Sequence, residues 1–337
     1  MVLQILVPQY NENEQLISRL LDSIELQQGI NLEFDIGVII VNDGSSTHLS
    51  REFIESYDFP IEYHKDPHRG VPGTRNALLR YAKAPYVMFC DADDMFCSMI
   101  ALYSILRSTV EGAFDELISY FYSEGPEQGG GVNYVEQNRV IHPFIHGKVY
   151  NRQYLVDNNI WFNESVNYHE DVYFSFLAHS CASTIKLLQQ YAYIWKHNNN
   201  SITHRSNFGI KNYCDSLQAI TSVCEELMRR DKLQDAQFYF TCCIYNTYFF
   251  MHQPSWLAQS ETSYWRKICI KFQEMWNAHG KELWEDADQE WKDGIWADTA
   301  KGSWMMTAMK EDELEPFEPW VHSIIDQDYS EDMDENN

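Results

Sequence analysis

YVMFCDADDMF, residues 86–96, is an apolar run that ends in three carboxylates within four positions, Asp91, Asp93 and Asp94. A run without alternation reads as a strand buried on both faces, because a half-buried strand would alternate apolar and polar residues. Where the extended backbone persists past Asp91, side chains two apart point the same way, so Asp91 and Asp93 share a face. Such a pair suits a hard divalent cation, which takes carboxylate oxygens together with substrate phosphates. The competing reading is a plain turn, since Asp clusters commonly end strands.

Outward from this stretch, apolar runs at 2–7, 36–41 and 60–64 also read as strands. Residues 12–27 place Leu16, Ile17, Leu20, Leu21 and Ile24 at helical spacing, and 73–83 carries Ala77, Leu78 and Tyr81. This order predicts an α/β fold with a mostly parallel, Rossmann-like sheet flanked by helices. A helix at 98–108 and a strand at 116–123 follow, and then EGPEQGGGVNY, residues 124–134. Its three consecutive glycines predict irregular chain, either a flexible loop over an active site or a surface excursion. Helices at 152–157 and 170–181 and a strand at 184–195 complete this part. Past 205, helical patterns at 207–230 and 232–251 take over.

The predicted organisation is a domain over 1–205, a mainly helical C-terminal region over 206–310 and an acidic tail over 311–337. The tail carries eleven acidic side chains and no Lys or Arg, which predicts partial disorder. Of the 337 residues 45% are hydrophobic and 15% aromatic, enough for a packed core. A net charge of −25 disfavours a non-specific nucleic-acid binder. The eight cysteines are scattered without zinc-like spacing and read as reduced thiols. No run approaches the roughly 20 apolar residues a membrane helix needs. The N-terminus enters a strand without a basic leader, so the expected location is cytoplasmic.

Further polar clusters fall at element ends. LVPQYNE, 6–12, and VNDGSS, 41–46, follow the first two strands, at the carboxyl ends where open α/β sheets bind ligands. Tyr10 is placed to stack on a base and Asp43 to accept from a base N–H, although Asn-Asp-Gly-Ser alone reads as a turn or cap. In HRGVPGTRNALL, 68–79, Arg69 and Arg75 either neutralise phosphate, or Arg75 pairs with an Asp beneath the site. NYHEDVYFSFL, 167–177, sets Glu170 and Asp171 in a helical first turn, favoured there by the helix dipole and also placed to act as a general base. YIWKHNNNSITH, 193–204, gathers Trp195, His197, Ser201 and His204, any of which is a candidate for metal or diphosphate.

Taken in order, VPQYNE, VIIVNDGSS, GVPGTRNALL, YVMFCDADD, HGKVYNRQYL and NYHEDVYFSFL resemble the family 2 glycosyltransferases over residues 1 to about 205. The resemblance implies a GT-A fold, a nucleotide-sugar donor, Mn²⁺ or Mg²⁺, and inverting transfer of one sugar to an acceptor hydroxyl. It implies that Pro8, Gln9, Tyr10, Asp43 and Arg75 bind the nucleotide, with uridine as the base although thymidine offers the same edge. Asp91 would face ribose or metal and Asp93 the metal, with His197 as a further metal candidate. Asp171 would be the base and Glu170 its alternate, while His146, Gly147, Lys148, Asp94 and Trp195 would line the sugar and acceptor side. Asp94 is also a structural candidate held by Arg75. The sequence departs from the family at Gln9, where a small residue or Ser/Thr is common, and in PHRGVPG, which adds a Pro and a His.

Three rivals remain. A nucleotidyltransferase would open with a Gly-rich basic loop that VPQYNENEQ lacks. A catalytically inactive nucleotide-sugar-binding module would not need Asp93 and Asp171. The same enzyme class acting on a protein or modified nucleic acid is the third, its nucleic-acid form disfavoured by charge. The aromatic-rich helices after 205 would dimerise, cover the acceptor groove or extend the core.

Overall fold

Strand β1 (Leu3–Gln9) lies inside the first half of the sheet because it is buried on both faces: Leu3, Ile5, Leu6 and Val7 are fully buried, and the one polar side chain among them, Gln4, is buried with its Oε1 accepting from Lys83 N and Ala84 N. The computed structural model describes residues 1–127, 131–166, 168–198, 208–258, 260, 262–302 and 314–329. The chain forms two compact units, Met1–Arg205 and Ser206–Asn337. Helix α1 (Glu14–Glu25) begins where Asn13 Oδ1 accepts from Leu16 N at 3.0 Å, and it buries Ile17, Leu20, Leu21 and Ile24 along one stripe. Each such side chain contributes about 1.5–3 kcal/mol on leaving water.

The first unit continues with β2 (Ile36–Asp43), α2 (Arg51–Ile54), β3 (Ile61–Asp66), α3 (Gly70–Tyr81), β4 (Tyr86–Phe89), β5 (Met95–Phe96) and α4 (Ala101–Val110). Then come β6 (Glu116–Glu127), β7 (Gly131–Gln137), β8 (Lys148–Asn151), α5 (Arg152–Asp157), α6 (Glu170–Cys181) and β9 (Ile185–Trp195). The sheet order is β3-β2-β1-β4-β8-β6-β9-β5, with β7 paired to β6. Its β3-β2-β1-β4 half is parallel throughout, as the unalternating runs predict. The other half is mixed: β8 is antiparallel to both β4 and β6, β6 and β9 are parallel, and β5 is antiparallel to β9.

Register decides where ligands can approach. Gln9 pairs with Asn42 and Leu6 with Phe89, so residues 8–12, 42–46 and 90–94 leave the sheet along one edge. Gly147, just before β8, has φ +73°, and a Cβ there would lie 2.7 Å from Ser119 O. A side chain at this position is excluded by both strain and space.

Residues 124–127 and 131–134 of the glycine-rich stretch are not irregular: they belong to β6 and β7, which pair antiparallel from Phe121↔Gln137 to Glu127↔Gly131, while residues 128–130 lie outside the described residues. Val132, Tyr134 and Val135 supply β-forming side chains on β7, and the pattern of β6 continues well past residue 123.

The second unit contains α7 (Phe208–Arg229), α8 (Leu233–Met251), α9 (Pro254–Leu257), α10 (Ser263–Gly280), a π-helical turn at Lys281–Glu285, α11 (Gln289–Gly302) and α12 (Phe317–Ile325). Tyr245, Tyr248, Phe249, Phe272, Trp284 and Trp320 fill its core. Helix α12 lies inside the acidic segment that begins at 311 and is ordered because Trp320, Val321 and Ile324 are buried. No described helix is long and apolar enough to cross a membrane. All eight cysteines are free thiols.

Candidate active site

At the edge where β1 and β2 end, Tyr10 is half exposed and its ring centroid lies 4.9 Å from that of His68. The two rings form an aromatic surface for a planar ligand. Asp43 lies beside it but is nearly fully buried. Its carboxylate accepts from Arg69 N at 2.7 Å and Gly70 N at 3.0 Å and lies 2.9 Å from His68 Nδ1. It fastens the loop ahead of α3, and one carboxylate lone pair is left for a ligand. Pro8 is half-buried at the end of β1.

Gln9 does not face a base. It is fully buried, its Oε1 accepting from Asn42 Nδ2 at 3.2 Å and Tyr63 OH at 3.1 Å while its Nε2 donates to Glu12 O at 2.8 Å. Burial with every polar atom committed makes it an organiser of the edge. Arg75 is likewise withdrawn from phosphate. Its side chain, 6% exposed, donates through Nη2 to Asp91 Oδ1 at 2.8 Å and through Nη1 to Glu170 Oε1, with Phe162 5.5 Å beneath the guanidinium. Arg75 therefore ties the end of β4 to the start of α6.

The three aspartates separate into different environments. Burial alone would raise the Asp91 carboxyl, but Arg75 outweighs it and the net shift is downward. Asp93 is raised, by burial and then by Asp91, against a hydrogen bond from Asn198 Nδ2 at 2.8 Å. Asp94 is fully buried and raised well above the carboxylate range by burial, Asp91 and Asp93. It accepts from Tyr193 OH and Lys196 N, both at 2.7 Å, so Tyr193 and Lys196 hold it rather than Arg75, and it is closed to a sugar. Glu12, the last residue of LVPQYNE but given no role there, joins this group: burial chiefly, then Asp93 and Asp91, push its carboxyl to about 7.

His146 is buried among the rings of Tyr193, Trp195 and Phe144 at 5.4, 5.4 and 6.1 Å. Its Nδ1 has no hydrogen-bond partner and lies 3.9 Å from Asp94 Oδ2. Burial holds its pKa down to about 4, leaving a neutral imidazole able to ligate. Asp91, Asp94 and His146 each offer one atom within 4.8 Å of the others. An unpartnered imidazole nitrogen among crowded carboxylates fits a divalent cation, whose charge would relieve their mutual repulsion. His197 lies outside that group, half-buried, with its backbone N–H bonded to Glu124. Ser201 and His204 lie outside the described residues.

Lys148 does not line the sugar side. It is 1% exposed, donates from Nζ to His142 O at 2.9 Å and lies 3.7 Å from Glu116 Oε1. Gly147 serves the backbone, its carbonyl accepting from Ser119 N and Ser119 Oγ at 2.8 Å each. Trp195 is half-buried against His146 and Phe144. Asp171 stands in the first turn of α6, after His169 in the left-handed region at φ +63°. Its carboxyl is raised to about 7, by burial first and then by Glu170. A carboxylate poised near neutrality in the first turn of α6 has the acidity a general base needs.

Comparison with known proteins places this geometry. Residues 4–124 match the family model described as "Glycosyl transferase family 2". An uncharacterized glycosyltransferase, EpsJ of Bacillus subtilis, is 26% identical over 224 residues, 60% of this chain and 63% of that protein. The poly(ribitol-phosphate) beta-N-acetylglucosaminyltransferase TarS of Staphylococcus aureus is 27% identical over 212 residues, 58% of this chain and 35% of that protein. The chain thus spans less than two thirds of the length of these relatives. Residues 1–349 of TarS, solved in complex with UDP-GlcNAc, superpose with a TM-score of 0.66 at 18% identity over 89% of both chains. The mannosyltransferase PcManGT from Pyrobaculum calidifontis, solved with GDP-Man and Mn²⁺, gives 0.51 at 14% identity, covering 85% of this chain and 88% of that one. The fold is GT-A.

Proposed function

The chain belongs to glycosyltransferase family 2 through its residues 4–124, and from that premise we propose that it moves one sugar from a nucleoside diphosphate sugar, a UDP-sugar, to an acceptor hydroxyl with inversion. The observation that carries this reading is the convergence of a half-exposed aromatic pair, an acidic group with an unpartnered imidazole, and a near-neutral carboxylate along one sheet edge.

Tyr10 and His68 stack on the base, and the remaining lone pair of Asp43 accepts from its imide N–H. Asp91, together with Asp93 and with the neighbouring Asp94 and His146, would hold the cation, Mn²⁺ or Mg²⁺. When bound, that cation neutralises the charge that builds on the departing diphosphate. Arg75 keeps Asp91 ionised and fixes Glu170, which leaves Asp171 as the carboxylate free to take the acceptor proton. The acceptor oxygen attacks from the face opposite the leaving group, and its proton passes to an Asp171 carboxylate oxygen. Glu170, with its oxygen on Arg75, positions and does not act as the base.

The pH profile tests this assignment. A base must be deprotonated to work, and Asp171 has a pKa of about 7. Below pH 7, kcat/KM is expected to fall about tenfold per unit, and above it to level off. Glu12 has a similar value, so Glu12→Gln separates the two: the limb persists in that variant if it belongs to Asp171. A flat profile between pH 5 and 8 contradicts the proposal.

A further inference from the structure

One face of the β6-β7-β9 corner carries a row of tyrosines with no part in the chemistry above. Tyr120 and Tyr122 stand on the same face of β6 by alternation, and Tyr191 of β9 lies between them, with ring centroids 5.4 Å from Tyr120 and 4.2 Å from Tyr122. Tyr134 of β7 extends the row, 6.1 Å from Tyr122. Register shifts in the β6/β9 pairing at Ser119/Tyr120 and Tyr120/Phe121 bring Tyr191 into line, the kind of bulge that re-aims side chains beside a site. Tyr134 is 47% exposed and the other three are half-buried. The rim is polar: Tyr191 is hydrogen-bonded to Glu136 and Asn138, and Lys196 pairs with Glu124 and lies 5.9 Å from the Tyr134 ring.

The row begins where the proposed base ends. Helix α6 covers this same face of β6, its His179 Nδ1 2.6 Å from Glu116 Oε2. Across β4, β8 and β6, Val87 is in line with Tyr150 and Glu116, so Asp91, past the end of β4, lies near the level of Tyr120, and Arg75 bridges Asp91 to Glu170 at the start of α6. At the other side, the chain runs from Tyr191 through the end of β9 to Lys196, whose N–H bonds Asp94, and then to Asn198, which bonds Asp93.

Aromatic side chains with polar tips, rimmed by carboxylate and amide groups, match sugar rings, which present a C–H face and a hydroxyl edge. The charge disfavours a polyanion: Lys196 is neutralised by Glu124, Glu136 adds a negative charge, and the chain as a whole carries −25. We propose that Tyr120, Tyr191, Tyr122 and Tyr134 form an acceptor platform for a neutral oligosaccharide, holding the units behind the one whose hydroxyl meets Asp171. This rests on the transferase reading and names its acceptor class.

The test is saturation-transfer NMR and titration calorimetry on the full chain with UDP and Mn²⁺. The probes are neutral hexasaccharides of β-linked glucose, N-acetylglucosamine and mannose, and a poly(ribitol phosphate) oligomer of equal length. A neutral hexasaccharide is expected to bind, Tyr122→Ala and Tyr134→Ala to weaken it about tenfold or more, and UDP affinity to stay within about twofold. If Tyr122→Ala does not fold, the exposed Tyr134→Ser carries the test. Wild-type affinity in the variants, no binding of any neutral probe, or preference for the polyanion overturns the platform while leaving the donor site standing. Failure of the wild type to bind UDP overturns the transferase reading, and the platform with it.

Discussion

Asp171→Asn is expected to lower turnover by roughly 10²–10⁴-fold while leaving donor affinity unchanged. Asparagine keeps the size and planarity of the side chain and loses only the ability to take a proton. Asp171 is buried enough for its pKa to reach about 7, so near pH 6 most molecules already carry the neutral form and the amide imitates a state the fold tolerates. Calorimetry with UDP should match the wild type, and single-turnover transfer should collapse. Full transfer by the variant would remove Asp171 from the chemistry.

Arg75→Met is expected to act on both stability and activity. Its guanidinium is the shared cation of Asp91 and Glu170, with side-chain exposures of 6%, 31% and 12%. Methionine fills much of the volume but leaves two carboxylates, with Asp171 alongside, without a counter-charge. Removing one partner of a buried ionic group costs about 3–5 kcal/mol. Asp91 would then follow the burial that already pushes it upward, and its ionised form would be less favoured. Urea unfolding should show a loss in that range, and transfer should fall with it. A loss under about 1 kcal/mol would mean that the Arg75 bridge does not organise the site.

The first half of the sheet was legible because strands buried on both faces read as unbroken apolar runs, and Ile17, Leu20, Leu21 and Ile24 keep helical spacing. The pairing of β6 with β7 was not, since EGPEQGGGVNY lacks the apolar–polar alternation that marks a strand. Within the site, Asp91, Asp93 and Asp171 were marked by their positions at element ends. Partners far along the chain were not legible: Gln9 meets Tyr63 and Lys148 meets Glu116, and Arg75, for which pairing with an Asp was one of two readings, does pair with Asp91 but also meets Glu170, which no local pattern encodes. Glu12 escaped notice because the charges that raise it belong to residues about eighty positions away.

The proposed reaction is an inverting displacement assisted by one base. The direct measurement is NMR of the product formed from an α-linked UDP-sugar with Mn²⁺ and a neutral oligosaccharide acceptor, with released UDP quantified alongside. A β-linked product with one UDP released per bond formed is the predicted result. An α-linked product, or a product formed without UDP release, would contradict it.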